Sequence, residues 1–557
     1  MKSSDINKLF SKDNGSLLVA AIVFIMLSLV LCGRTLKDFP AYTHGWAQSD
    51  WYAIAHGFVN NGYDLFHPET MIYNKQFPGT WSEASETTIT SADFPIHEYI
   101  VALLMGVSGN YEPSVFRTWT LLVSLIGLWF FFLLCRRLTR SWVKSVGVTL
   151  LAIASPVYAY YMAGFIPSIP ALAMIMAGLW AYVRYYQEDR MAFWHLSVAL
   201  LSLGAMVRTS QLVVLVAVCG FELLRVLRKE STFWNKLPAV VAGFAAIGGY
   251  MLWNAHLRAE HGTLFLSELM PPRNGEDWTN VVEAVKERYM YSYFGLVQQI
   301  VIAVVAAAGL IALAIHHFRI GSHISPFTSH LHPKDTLEKR GKKLPLGWFA
   351  VLWLLGEFLF IVAMWRQFRD HNYYFLDCLW LPTLAITALL AASIPSPKGR
   401  WWTLGGIGML VVLGGQMVWE ARTEIDERNS CWDLAQINVW HYWGSDRWLD
   451  EVGVSRDAKI LSVASYPQNS PFLMMGRKGY SVMWFGEDQM DVTHLTEKAL
   501  EFPFDYVVVE NYAVSEYFER YKAIMSRLVR VESTNDLSLC TVADSVVNKT
   551  ADDFFNR

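Results

Sequence analysis

Long apolar stretches are the feature that most limits how this chain of 557 residues can fold. About 20 apolar residues suffice to cross a lipid bilayer as a helix, and about eleven such runs follow one another between residues 16 and 420. Only 17% of the residues are charged, whereas soluble chains carry roughly 25%. The sequence therefore predicts a polytopic α-helical membrane protein and excludes a soluble multidomain enzyme or a disordered chain.

The predicted spans also have a consistent orientation. They lie at about 16–33, 114–135, 142–161, 165–183, 192–207, 209–225, 236–255, 295–317, 346–365, 374–394 and 402–420. With the N-terminus in the cytoplasm, most Lys and Arg residues of the short connections fall on the cytoplasmic side, as membrane proteins prefer. The first long loop, 34–113, and the C-terminal segment, 422–557, are then extracytoplasmic. A net charge of -3 gives no bulk attraction to nucleic acid, so we expect no nucleic-acid partner.

The C-terminal segment differs from the rest because its apolar runs are short. After a Trp-rich helical stretch at 432–448, β-type runs occur at 459–464, 506–509 and 539–542, with an amphipathic stretch near 517–528. This pattern predicts a transmembrane domain over 1–421 and a small α/β domain over 422–557. The turn Arg477-Lys478-Gly479 is expected to be solvent-exposed rather than to touch an acceptor.

The loop 34–113 contains the polar residues with the clearest chemical potential. Trp51, Ile54 and Ala55 have helical spacing, which predicts an amphipathic helix at the membrane surface with Asp50 in its first turn. Asp50 is then either an acid stabilised by the helix dipole or a carboxylate facing a lipid or an acceptor. Asp93 and His97 follow in the same loop. Two carboxylates and a His suit base chemistry or a divalent cation, although no spacing defines a metal site.

Several stretches together resemble a known family. They read HGWAQSDWYAIAHGFVNNGYDLFHP (44–68), DFPIHEYIVALLMGVSG (93–109), YYMAGFIPSIPALA (160–173), VRTS (207–210) and RQFRDHNYYFLD (366–377). In order and sidedness they resemble the GT-C membrane glycosyltransferases, in the branch of the protein O-mannosyltransferases and the aminoarabinose lipid A transferase. The chain departs from this pattern at Asp93, where Glu is common, and at Ser168, where an acid is common.

The resemblance implies a fold and a reaction. The fold is a multispan helical bundle with interfacial helices in its first outer loop. The reaction is the inverting transfer of a sugar from a polyprenyl-phosphate donor to a lipid, glycan or protein acceptor outside the membrane. The resemblance implies Asp50 as the general base and Asp93 as a second catalytic acid, with His44, Gln48 and His97 as substrate-binding residues. It also implies a bacterial cytoplasmic membrane as the location.

A lipid-phosphate leaving group needs positive charge, and Arg provides it with two-pronged geometry. The candidates at outer helix ends are Arg117, Arg208 and Arg369, although a boundary Arg can simply extend to the interface. Arg208 lies between two apolar runs and needs a partner, as does Glu357 within a span. The cluster of His371, Tyr373 and Tyr374 beside Arg369 is consistent with a sugar-phosphate pocket or with an interfacial aromatic belt.

Two other functions are compatible with the sequence. One is a transporter or flippase of lipid-linked glycans, for which midplane charges and internal repeats would be expected. The other is a related polymerase or ligase that uses a diphosphate-linked donor. The concentration of polar motifs on one face of the membrane and the lack of a sequence repeat favour the glycosyltransferase.

Overall fold

The computed structural model describes residues 12–79, 83–265, 268–320, 344–396, 399–430, 434–483 and 498–556. The chain divides into two compact units. The helical unit comprises Met1–Leu36, Arg117–Tyr250 and Glu268–Glu427, and the mixed unit comprises Lys37–Phe116, Met251–Ser267 and Arg428–Arg557. The first outer loop and the C-terminal segment therefore fall in the same unit, although about 300 residues separate them in the sequence.

Helices dominate the chain up to residue 428. They are α1 Lys12–Cys32, α2 Gly45–Asn60, α3 Ile96–Ser108, α4 Pro113–Thr139, α5 Trp142–Ile153, α6 Pro156–Tyr161, α7 Ser168–Glu188, α8 Met191–Val207, α9 Leu212–Leu227, α10 Leu237–His261, α11 Gly275–Ala284, α12 Met290–Tyr293, α13 Leu296–Ile320, α14 Leu346–Ala363, α15 Leu381–Ser393 and α16 Arg400–Arg428. Tighter or wider turns extend this set at Gly33–Thr35, Thr209–Gln211, Val285–Tyr289, Trp365–Arg369 and Leu376–Trp380.

Within the described part of the chain, eight helices are long and apolar enough to cross a membrane. They are Gly15–Thr35, Pro113–Thr139, Thr209–Leu227, Leu237–His261, Leu296–Ile315, Leu346–Ala363, Leu376–Ser393 and Arg400–Arg428. The protein is thus a multi-pass membrane protein, as predicted. The other three predicted spans are helical but lie outside this set. The span expected at 142–161 is broken between α5 and α6, because Pro156 lacks the N–H that would continue the helix.

The core of the helical unit depends on small residues where two helices approach closely. Helices α7 and α8 pack along each other, and a Cβ atom added at Gly178 would lie 2.8 Å from the side chain of Leu201. A Cβ atom at Gly204 would likewise lie 2.8 Å from Ile175. Small residues at such crossings let helix backbones approach and gain van der Waals contact where lipid offers no hydrophobic advantage.

The mixed unit contains a five-stranded sheet with the strand order β2-β1-β3-β5-β4. Its strands are β1 Ile460–Ser465, β2 Gly479–Met483, β3 Tyr506–Glu510, β4 Leu528–Ser533 and β5 Leu537–Val542, accompanied by helices α17 Leu434–Tyr442, α18 Ser445–Glu451, α19 Ser470–Met475, α20 Asn511–Glu516, α21 Phe518–Met525 and α22 Ala551–Phe555. Strand β1 is parallel to β2 and β3, whereas β5 is antiparallel to β3 and β4. The predicted α/β character is confirmed.

Two strands were not predicted. Strand β2 is short and begins with Gly479, which has low strand propensity. That glycine is required, because a Cβ atom there would lie 1.8 Å from the carbonyl oxygen of Ile460. Strand β4 is a sheet edge with mostly exposed residues, so it lacks the apolar run that marks the buried strands β1 and β3.

The first outer loop covers the free edge of β2. The amide of Tyr73 donates to the carbonyl of Gly479 (2.8 Å), and the amide of Gly479 donates to the carbonyl of Met71 (3.0 Å). Asn74 extends this pairing, since its side chain donates to the carbonyl of Ser481 (3.1 Å) and accepts from the amide of Ser481 (2.7 Å). An edge strand that would otherwise expose unpaired groups is therefore protected.

This pairing explains why the expectation for the turn before β2 was wrong. Arg477 is 1% exposed and donates to the carbonyls of Val454, Ser455 and Met475. Lys478 forms an ion pair with Glu69 and donates to the hydroxyl of Thr88 (3.0 Å). Both cations have structural partners within the mixed unit instead of facing solvent.

Candidate functional site

Asp50 lies deeper in its helix than the sequence indicated. Helix α2 begins at Gly45, and its first turn contains no acidic residue. The prediction that Asp50 lies in the first turn, and with it the interpretation as a dipole-stabilising acid, is wrong. The residue before the helix, His44, adopts a left-handed conformation (φ 57°), which lets the helix start earlier than the apolar spacing suggested.

The carboxylate of Asp50 is buried and accepts hydrogen bonds from neutral groups. Asp50 is 1% exposed, and Asn469 Nδ2 donates to its Oδ1 at 2.8 Å. Burial raises the pKa of Asp50 to about 7, while Asn469, Gln468 and Trp46 act in the opposite direction. None of these three neighbours carries a positive charge that would keep the carboxylate ionised, so desolvation dominates.

Gln468 and Asn469 are the site residues that the sequence did not reveal. They follow β1, and both are fully buried. Next to them, the ring of Tyr466 packs edge-on against Trp46, with centroids 5.4 Å apart. One signal in the sequence could have found them. They belong to a polar run directly after the buried strand β1, and α/β sheets bind ligands at the carboxyl ends of their parallel strands.

The predicted residues His44 and Gln48 shape the start of α2. The carbonyl of His44 accepts from the amide of Gln48 (3.0 Å). The side-chain amide of Gln48 donates to the carbonyl of Thr43 (3.1 Å). These contacts support a helix-initiating role within the mixed unit, and a role of either residue in substrate binding stays a prediction.

The second group of predicted residues lies in the first turn of α3 and just before that helix, together with one residue that was not singled out. Asp93, three residues before α3, is half-buried. His97 is buried with its ring 5.3 Å from that of Phe116, and burial lowers its pKa to about 3. Glu98 is fully buried, burial raises its pKa to about 8, and no described group is hydrogen-bonded to its carboxyl oxygens. Burial therefore favours the protonated form of Glu98.

From the sequence, the metal site was left open, and Asp50, Asp93 and His97 were named as the residues that would hold a divalent cation. Among the described residues, no group of three His, Cys, Asp or Glu side chains is arranged to hold a metal ion. Asn469 presents its amide nitrogen to Asp50, because its oxygen accepts from Met71, and Trp46 offers an indole; neither group is an oxygen ligand for a hard divalent cation.

In the helical unit, Arg208 has the partner that its apolar setting demanded. Its Nε and one terminal nitrogen donate to Asp377 Oδ2 at 2.8 and 2.7 Å. The guanidinium also lies over the rings of Tyr373 and Tyr374, at 5.8 and 5.3 Å from their centroids. Asp377 side-chain exposure is 0%, against 17% for Arg208, so the cation is the reachable half of this pair.

The remaining residues of the 366–377 segment adjoin Arg208. The ring of His371 lies 5.5 Å from that of Tyr373 and 6.0 Å from that of Tyr374. Burial lowers the pKa of His371, and the charge of Arg208 acts in the same direction. Arg369 is paired with Asp370 at 2.8 Å. A cavity of about 180 Å³ is lined by nine residues of this unit, including Asp277, Arg366, Arg369, Asp370 and His371.

Two other predicted residues have local partners in the helical unit. Arg117 donates to the carbonyl of Ala163 (3.0 Å) and lies over the ring of Phe165 at 4.6 Å. Glu357 accepts from Trp353 Nε1 at 2.7 Å, one turn away on α14. The helical unit therefore brings Arg208 and His371 against the same two rings, Tyr373 and Tyr374. Arg369 lies on the cavity that His371 also lines.

Comparison with known proteins agrees with this architecture. Residues 92–253 match the model of the dolichyl-phosphate-mannose-protein mannosyltransferase family. The crystal structure of ArnT from Cupriavidus metallidurans bound to undecaprenyl phosphate is similar, with a TM-score of 0.55 at 10% identity over 93% of this chain and 97% of that chain. A cryo-EM structure of the arabinofuranosyltransferase AftD from Mycobacteria gives a TM-score of 0.50 at 12% identity, over 95% of this chain and 42% of AftD.

A search of curated sequences finds no match. The similarity therefore rests on the family segment and on the fold, and both are those of membrane glycosyltransferases. The resemblance seen in the sequence is confirmed: the chain has the fold of a GT-C membrane glycosyltransferase, and residues 92–253 carry the pattern of the dolichyl-phosphate-mannose-protein mannosyltransferase family.

Proposed function

We propose that this protein is an inverting glycosyltransferase that moves a sugar from a polyprenyl-phosphate donor to an acceptor hydroxyl at the extracytoplasmic face. The observation that carries this proposal is Asp50. It is a buried carboxyl that accepts a hydrogen bond from the neutral Asn469 and has a pKa of about 7. A general base works best when its pKa lies near the operating pH.

Asp50 acts by removing the proton from the acceptor hydroxyl as its oxygen attacks the anomeric carbon of the donor. The new bond forms between that carbon and the acceptor oxygen, while the bond to the phosphate oxygen breaks from the opposite side. The configuration at carbon is inverted, and the electron pair leaves with the polyprenyl phosphate. Asp50 is protonated at the end of the step and releases its proton to water. Asp93 is the second acid that we assign to this site.

The leaving phosphate is bound by arginine, with Arg208 and Arg369 as the main candidates and Arg117 as a third. Arg208 is supported by its exposure relative to Asp377 and by the tyrosines beneath it. Arg369 and His371 are supported by the cavity that they share. Tyr373 and Tyr374 offer aromatic faces that suit the apolar faces of a sugar ring. The ArnT structure contains undecaprenyl phosphate, which supports a lipid phosphate as the donor's carrier.

The location follows from the same proposal. We place the protein in a bacterial cytoplasmic membrane, with its N-terminus in the cytoplasm and the C-terminal α/β domain (422–557) outside. That domain would help to cover or select the acceptor, which is a lipid, a glycan or a protein. The distribution of Lys and Arg among the loops supports this orientation.

The test is donor turnover by the full-length protein in nanodiscs. Polyprenyl-phosphate sugars are supplied one at a time, with membrane extract as acceptor, and release of polyprenyl phosphate is measured. We expect release by the native protein and by Asp64→Asn, an exposed acid of the same loop, but not by Asp50→Asn. Release only from diphosphate-linked donors, or lipid movement without bond cleavage, would contradict the proposal in favour of a ligase or a flippase.

A further inference from the structure

We infer that Asn469 is a positioning residue for Asp50, so that the C-terminal part of the chain contributes to the reacting centre. The inference rests on the proposed role of Asp50 as the base and adds a residue to it. It comes from geometry in the mixed unit, where Asn469 touches both the carboxylate and the backbone of the first outer loop.

The orientation of the Asn469 amide is determined by its two partners. Its Oδ1 accepts from the backbone amide of Met71 at 3.1 Å. A backbone N–H can only donate, so the atom that faces it must be the oxygen. The Nδ2 group therefore points to Asp50 Oδ1, 2.8 Å away. The chemistry of its two partners therefore makes Asn469 the donor to Asp50.

Asn469 is also held firmly enough to orient another group. It is fully buried and precedes α19, which packs against α2. Its partner Met71 is held in turn, because the carbonyl of Met71 accepts from the amide of Gly479 at the edge of the sheet (3.0 Å). The side-chain amide of Asn469 is thus fixed by its own backbone before α19 and by the backbone of Met71, as precise positioning of a catalytic group requires.

The lack of charge on the Asn469 amide matters to the proton affinity of Asp50 as much as its position does. A Lys or Arg beside Asp50 would stabilise the ionised form strongly and weaken it as a base. An uncharged amide directs one carboxylate oxygen while leaving the carboxyl able to accept a proton near neutral pH. Trp46 on α2 and Gln468 beside Asn469 also act on Asp50, and both are uncharged, so we expect no other titration among these groups.

The experiment uses two substitutions of Asn469, one that removes packing without adding charge and one that keeps the packing but adds a negative charge. Asn469→Ala removes the donor and the packing. Asn469→Asp keeps the size and can still accept from Met71, but it places a like charge against Asp50. Asn438→Ala and Asn438→Asp are matched controls, because Asn438 is 1% exposed and accepts from the amide of Tyr466 at 2.8 Å. The hydrogen bond from Tyr466 to Asn438 therefore supports the same segment after β1 that contains Asn469.

Two quantities are measured in the full-length protein: the infrared titration of the Asp50 carboxyl, assigned by difference from Asp50→Asn, and the pH profile of donor turnover. We expect the Asp50 titration to move upward by about one pH unit in Asn469→Ala. It should move further in Asn469→Asp, because like charges disfavour ionisation. If Asn469 had only a structural role, the order of the two shifts would be reversed, because Asn469→Ala removes more packing than Asn469→Asp.

The outcomes separate the inference from the proposed function. An unchanged Asp50 titration in both Asn469 variants, or an equal shift in the Asn438 controls, would overturn the positioning role. A shifted titration with an unchanged turnover profile would leave that role intact and show that Asp50 is not the base. A shift in both, in the order Ala then Asp, supports the inference and the function together.

Discussion

Two buried aspartates in the described part of the chain have opposite electrical settings. Asp377, in the helical unit, accepts two hydrogen bonds from the guanidinium of Arg208 at 2.7 and 2.8 Å. Asp50, in the mixed unit, accepts from the uncharged amide of Asn469 at 2.8 Å. Both side chains are almost completely inaccessible to water. Burial is thus common to the two residues, and the type of donor distinguishes them.

The difference lies in the charge of the partner. The carboxylate of Asp377 matches the charge of Arg208, so removal of either side chain would leave the other buried without its counter-charge. Asp50 has an uncharged partner, and burial brings its pKa to about 7. Burial alone therefore does not distinguish the two aspartates, whereas the partner does.

The largest effect is expected when Asp50 loses its ability to accept a proton. Asp50→Asn should lower turnover by about 10²- to 10⁴-fold, the usual contribution of general base catalysis. Binding of the donor should remain within about threefold in a fluorescence or calorimetric assay, since the substitution preserves size. If Asp377→Asn abolished turnover while Asp50→Asn retained it, the assignment of the two aspartates would be reversed.

The next effect concerns the stability of the Arg208–Asp377 pair. Either Arg208→Gln or Asp377→Asn should lower the free energy of unfolding by about 3 kcal/mol, because a buried charge loses its partner. The double variant should recover most of that loss. Denaturation in detergent gives the three values, with Lys75→Gln, which breaks an exposed pair with Glu83, as a control near zero. Additive losses in the double variant would argue against a coupled pair.

A third prediction uses pH. Turnover at saturating donor should be constant above about pH 7 and fall about tenfold per pH unit below it, because Asp50 must be ionised to act. The pH dependence of kcat measures this limb. A plateau that extends to pH 5 would mean that the rate-limiting step does not involve this carboxyl.

The smallest effect tests whether a raised pKa is in itself a mark of function. Burial raises the pKa of Glu98 from 4.5 to about 8, so the native state retains a proton that the unfolded chain releases in this range. The contribution of Glu98 to stability therefore decreases as the pH rises from about 4.5 to 8. Glu98→Gln should raise the free energy of unfolding more at pH 8 than at pH 4, because glutamine has no proton that the unfolded chain could release.

Because we assign Glu98 no role in the reaction, Glu98→Gln should keep turnover within about twofold of the native value. Thermal unfolding at the two pH values and the donor assay make this check. A loss of turnover comparable to that of Asp50→Asn would show that the acid on α3 participates in the chemistry.

Much of the fold could be predicted from the sequence. The eleven predicted apolar runs all correspond to helices, and the three buried β-type runs correspond to β1, β3 and β5. These features are local, since a run of apolar residues has the same consequence wherever it occurs. The start of α2 was misplaced because the left-handed conformation of His44 leaves no mark in the hydrophobic pattern. Strand β2 was missed because Gly479 is selected by contact with Ile460.

The sequence singled out the residues of the candidate site but not their partners, and their roles stay predictions. Asp50 was named by the family resemblance, and Arg208 and the aromatic cluster at 371–374 by position and chemistry. Asp377 and Asn469 were not identified as their partners, since the pairs are separated by 169 and 419 residues in the sequence. A single sequence contains no signal for such a contact.

The sequence by itself determined that this chain is a multi-pass helical membrane protein with a small α/β part, because the hydrophobic effect acts on each segment according to its own composition. The tertiary structure decided which buried aspartate has a charged partner and which has an uncharged one. That difference depends on contacts between residues far apart in the sequence, and only the folded chain places Arg208 against Asp377 and Asn469 against Asp50.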